Sequence, residues 1–159
     1  MLQSLRKRLD RSEEGFTLIE LMVVVLIIAI LLAIAIPTFL GARSRAQDRA
    51  AQSNLRNALT TEKTYYTDNQ VYTATVANLT AIEPNLVFNA APATGIAVVQ
   101  PAADTSVVCM TRKSASGTFF AIWESASKGT YYGKTDLSAA ADCSDAATGA
   151  PATYVQTGW

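Results

Sequence analysis

Histidine is missing from all 159 residues, and with it the commonest general base and metal ligand. Cysteine is nearly as scarce: Cys109 and Cys143 cannot complete a four-ligand zinc site without histidine partners. Most nucleophile and metalloenzyme arrangements are thereby closed to the chain, which points away from an enzyme. Charge of either sign is in no excess. Thirteen Lys and Arg balance thirteen Asp and Glu, so bulk charge argues neither for nucleic acid nor against it. The bases are unevenly placed, however: Arg6, Lys7, Arg8 and Arg11 precede Gly15. Without that stretch nine bases would face ten acids, a nearly neutral product.

What the chain has in plenty is one apolar run. Phe16 to Ile36 contains a single charged residue, Glu20. As a helix these residues span about 31 Å at 1.5 Å per residue, close to the thickness of a hydrocarbon core. The basic flank belongs on the cytoplasmic side, which places the C-terminal part outside. The run admits three readings. A secretory signal would use Leu21–Leu32 as its apolar core and the "AIA" at 33–35 as its cleavage site. A plain anchor would stay uncut. Both leave Glu20 unexplained. The third reading cuts after Gly15, where no side chain obstructs a protease, and frees the amine of Phe16. That amine, with a reference pKa of about 7.7–8.0, would lie one helical turn from Glu20.

"GFTLIE" followed by "LMVVVLIIAILLAIAIPTFLGARSRA" closely resembles type IV pilins and the pseudopilins of type II secretion systems. The resemblance implies cleavage after Gly15 by a membrane-bound prepilin peptidase, N-methylation of Phe16, and an assembly role for Glu20, paired with the Phe16 amine of a neighbouring subunit. In many family members a lysine or arginine precedes the glycine; here Glu13 and Glu14 stand there, as in some Gram-positive versions. It further implies an α+β pilin fold: a long N-terminal α-helix, its apolar half protruding, packed against a small C-terminal antiparallel β-sheet. On this reading 1–15 is the prepilin leader, 16–43 the transmembrane and filament-core helix, and 44–159 the globular domain. The implied partners are other copies of the chain in a helical filament, the prepilin peptidase, a pilus assembly platform, minor pilins, and the cytoplasmic membrane before assembly. After assembly the chain would lie in an extracellular pilus at the cell surface. A type II secretion pseudopilin is the alternative within the family; a membrane-anchored or secreted binding domain is the alternative outside it.

Beyond the run, Pro37 lacks an N–H and clashes with the preceding turn, so a kink or local opening is expected there, with Gly41 a second weak point. From Ser44 to Tyr66, Ala51, Leu55, Ala58, Leu59 and Glu62 or Tyr66 recur at three- and four-residue spacing, an amphipathic helix. Asp68 and Asn69 are expected to form the turn that ends it. Residues 74–94 read as a connecting loop with a short turn at "VANLTAIEP"; Asn78-Leu79-Thr80 is a chance match to a glycosylation sequon. Four strands follow, 95–100, 105–111, 117–125 and 129–134, rich in β-branched and aromatic residues. Their short separators predict an antiparallel meander covering Leu55 and Leu59. Val98, Val108, Phe120, Ile122 and Trp123 are core candidates. Outside the cytoplasm Cys109 and Cys143 favour a disulfide, which resembles the C-terminal disulfide-bounded region of type IV pilins and favours pilin over pseudopilin. The tail, 138–159, is expected to be exposed. No cofactor is expected. Asp136, Asp142 and Asp145 lie where major pseudopilins often bind calcium, but their spacing matches no defined calcium loop.

Overall fold

A computed structural model describes residues 15–101, 103–139 and 142–159; of the expected leader, residues 1–14 lie outside them. The chain divides into two compact units, one ending at Ala42 and the other comprising Arg43–Trp159.

Helix α1, Leu18–Asn69, runs for 52 residues and contributes to both. Apart from Glu20 its first part is apolar on every face, and its side chains are exposed, Leu18 by 76% and Ile34 by 68%. A helix apolar all round belongs in a greasy environment rather than in water, and α1 is long and apolar enough to cross a membrane. The helix is unbroken across Pro37 and Gly41. Pro37 has no amide to offer the carbonyl of Ala33, so one helical bond is missing while its neighbours hold. Thr38 Oγ1 donates to the Ile34 carbonyl at 3.0 Å one residue further on.

From Arg43 onward α1 is amphipathic, and Ala51, Leu55, Ala58, Leu59 and Glu62 form its buried stripe. It does not end at Tyr66. Asp68 and Asn69 are still helical, and the chain turns instead at Gln70, whose φ is 59°. Gln70 is thus a left-handed cap without being glycine: its amide donates to the Tyr66 carbonyl at 2.8 Å. Side chains satisfy other terminal carbonyls, with Asn69 Nδ2 donating to Tyr65 O at 3.0 Å and Gln70 Nε2 to Thr67 O at 3.2 Å. The short turn expected near residue 76 is helix α2, Val76–Ile82, anchored by fully buried Leu79.

Strands β1 (Ala97–Val99), β2 (Val107–Lys113), β3 (Phe119–Ser125) and β4 (Gly129–Gly133) form one antiparallel sheet in sequence order. The meander and its strand number match the sequence reading. β2 extends past Thr111, because Arg112 and Lys113 pair with Phe120 and Phe119 in the ladder. Lys113 Nζ lies 5.1 Å from the Phe119 ring centroid, which gives its charge an aromatic face.

Alternation splits β2 and β3 between two cores. Val108, Met110, Phe120 and Ile122 join Leu55, Ala58 and Leu59 of α1. Trp123 faces the other way, with Val107, Cys109 and Ala121, and meets Leu137, Cys143 and Tyr154 from the C-terminal segment. The expectation of an exposed tail is therefore corrected: Cys143 and Tyr154 roof the second face of the sheet, and Trp159 packs against the first core. Trp123 Nε1 donates to the Ser144 carbonyl at 2.7 Å and Trp159 Nε1 to the Gly133 carbonyl at 2.8 Å. Trp159 also packs edge-on against Phe120 and Tyr132, with Arg56 5.1 Å from its ring centroid.

Candidate assembly and processing site

The site begins where α1 begins. Gly15 has open space around its Cα, and both it and Phe16 are exposed ahead of the helix. Thr17 is the N-cap. Its Oγ1 accepts from the Glu20 amide at 3.2 Å, and Glu20 Oε2 accepts from the Thr17 amide at 3.0 Å. These reciprocal bonds are a capping box, which satisfies two amides that the first helical turn leaves unpaired. The Thr17 hydroxyl also donates to Glu20 Oε2, at 2.7 Å.

The capping box answers part of the question that Glu20 poses. Its carboxylate starts the helix as well as carrying charge, and the Thr-x-x-Glu spacing that signals this is present in "GFTLIE". All the bonds that Glu20 accepts end on Oε2, so Oε1 is not used in the cap. A cut after Gly15 would leave the Thr17 amide, its hydroxyl and Glu20 in place. The cap and a second partner for the carboxylate are chemically compatible.

Pro37 and Gly41 lie in the same helix, more than four turns from Glu20, and share no contact with it. Cys109 and Cys143 form a disulfide, their Cα atoms 5.8 Å apart, which joins β2 to the C-terminal segment. Asp136 and Asp145 serve local turns: Asp136 Oδ1 accepts from the Ser138 amide at 2.9 Å and Asp145 Oδ1 from the Thr148 amide at 2.7 Å. The bonds from Thr148 hold the Asp145 carboxyl below the usual range. Among the described residues no three His, Cys, Asp or Glu converge as ligands.

Residues 10–36 match the prokaryotic N-terminal methylation motif. The chain is 44% identical over 72 residues to the type IV wide pilus major component PilA4 of Thermus thermophilus, covering 45% of this chain and 55% of that protein. Over 65 residues it is 43% identical to the type IV major pilin protein PilA of Myxococcus xanthus, covering 41% of this chain and 30% of the relative. Over 75 residues it is 40% identical to the type II secretion system core protein G of Vibrio cholerae, covering 45% and 49%. The matched stretch spans about half or less of these relatives' lengths.

Proposed function

We propose that this chain, which belongs by its N-terminal half to the type IV pilin and pseudopilin family, is a structural, non-enzymatic subunit of an extracellular type IV pilus-like filament. The observation that carries the reading is the solitary Glu20, set in the first turn of a helix whose next sixteen residues, 21–36, expose nothing but apolar side chains.

On this reading the chain waits in the cytoplasmic membrane with its N-terminus inside. A prepilin peptidase cuts between Gly15 and Phe16, the new amine is methylated, and assembly machinery adds the subunit to a growing fibre. Helices leaving lipid for a helical core gain little from hydrophobicity, because acyl chains are equally apolar. Register must come from something directional. Opposite charges about 4 Å apart attract by roughly 4 kcal/mol at an effective dielectric of about 20, and a charge left unpaired in an apolar interior costs several kcal/mol. Glu20 Oε1, uncommitted in the capping box, is the acceptor for the neighbouring subunit's Phe16 ammonium. Methylation keeps that amine basic, so the pair survives it. One missing helical bond at Pro37 and the small Gly41 leave α1 room to adjust as subunits pack.

The similarity to type II secretion core protein G supports a second reading, a short pseudopilus. Electron microscopy of cells lacking the gene separates the two. Loss of long surface fibres, restored by the wild-type chain and not by an equally abundant, processed Glu20→Ala variant, is the expected result. Intact fibres with a secretion defect would transfer the chain to the pseudopilins, and full piliation by Glu20→Ala would remove the pairing role.

A further inference from the structure

Glu62 sits where a leucine would be expected. It continues the stripe of Ala51, Leu55, Ala58 and Leu59 into the core and has no exposed surface. Its Oε2 accepts one hydrogen bond, from the Thr73 amide at 3.2 Å, and its Oε1 has no partner. We propose that Glu62 is a proton-operated latch: as the neutral acid it holds residues 73–75 against α1, and as the carboxylate it lets them and the first turn of α2 loosen.

The groups around it explain why the neutral form holds. From α1, Lys63 turns to the opposite partner, with Nζ 3.2 Å from Glu124 Oε1 and 3.3 Å from Thr130 Oγ1. From β3, Glu124 is itself 3% exposed, with its Oε2 unpartnered. From the crossing, the Tyr72 hydroxyl donates to Glu124 Oε1 at 3.2 Å rather than to Glu62. The Tyr66 ring packs on Tyr72, with centroids 4.7 Å apart. From α2, Asn78 is directed to Tyr65 and Thr73. The lysine in this cluster is therefore committed to Glu124, and an ionised Glu62 would be a second buried anion answered by one amide. Burial accordingly pushes the Glu62 carboxyl up to about 8, against the opposing pull of the Thr73 amide.

Thr73 passes the effect on. Its amide is bound by Glu62, while its own Oγ1 accepts from the Thr75 amide at 3.1 Å and from Asn78 Nδ2 at 3.4 Å, fixing the start of α2. The Tyr72 amide is separately tied to the Thr105 carbonyl at 3.0 Å. Release of Glu62 thus frees residues 73–75 and the first turn of α2, while the Tyr72 amide and the buried Leu79 side chain stay moored. A glutamine could accept the same amide bond without titrating; the acid is what makes the contact respond to pH.

The sign follows from linkage. Below the ordinary value of 4.5 the acid is neutral in both the closed and the open state, and the latch is fully effective. As pH rises towards about 8 the open state sheds its proton first, so the opening equilibrium grows about tenfold per pH unit and then levels off. Amide hydrogen exchange on the full chain in detergent micelles, corrected for intrinsic base catalysis, measures this. Residues 73–78 should lose about tenfold in protection per pH unit across the neutral range, with β2 and β3 as references, and Glu62→Gln should abolish the dependence. Identical pH profiles for wild type and Glu62→Gln would overturn the proposal. If Glu62→Gln does not fold, a carbon-13 carboxyl titration of the wild type run beside the exchange decides: protection at residues 73–78 that falls and then levels off at a Glu62 midpoint near 8 supports the latch, whereas a midpoint near 4.5, or protection that does not change up to the midpoint, overturns it.

Discussion

At Gly133 a single methyl group would decide whether the C-terminal segment can lie on the sheet. A Cβ there would collide with the Tyr154 ring, and the ring is held in place by burial and by its hydroxyl, which donates to the Thr135 carbonyl at 3.4 Å. Gly133→Ala should therefore cost about 1–3 kcal/mol, as overpacking does, and lower the thermal midpoint; an unchanged midpoint would mean that the ring is free to shift. Little at this scale was legible beforehand. Nothing in "GTYYGK" marks its second glycine as the floor beneath a tyrosine twenty-one positions further on. Glu62 looked like one of two alternatives at the end of a stripe, because spacing identifies a face without saying whether an acid on it will be paired. The Thr17–Glu20 box was readable from four residues, and was missed because a carboxylate in an apolar run draws attention to charge before capping.

At the scale of elements, the disulfide and the tail belong together. Cys109 and Cys143 enclose a span of 34 positions, and closing such a loop stabilises by roughly 3–4 kcal/mol in the chain-entropy model. Reduction, or the double change Cys109→Ala and Cys143→Ala, should lower stability towards urea by about that amount and expose Trp123 to solvent quenching; unaltered fluorescence and midpoint would show that the tail holds without the bond. α1 could be traced from its spacing, since one face of its second half is buried and the other wet. The strands could be found but not oriented. β2 is buried at five successive positions and β3 at six, so the alternation that tells one face from the other is absent when both faces are covered. The cover itself was hidden by composition: Ala, Ser and Thr dominate residues 138–159, and Tyr154 and Trp159 do the packing. The end of α1 was misplaced because Asp68 and Asn69 are good turn formers, whereas the turn is made by Gln70 with two side-chain amides capping the carbonyls.

For the whole molecule, the two units do different physical jobs. Arg43–Trp159 buries its apolar residues on both faces of a sheet and ties its end down with a disulfide. Residues 15–42 bury almost nothing by themselves, so their stability depends on what surrounds them: on the proposed reading, lipid for the single subunit and other copies of α1 in a fibre. An exposed apolar surface of this extent is a requirement for company, and on the proposed reading the lone acid at its start would give that company a register. The most direct check is mass spectrometry of fibres sheared from the cell surface. Their subunit is expected to be this chain, with an N-terminal peptide that starts at Phe16 and carries one methyl group on its amine; fibres built from a chain that keeps the residues before Phe16, or that starts after the apolar run, would contradict the proposed processing and pairing.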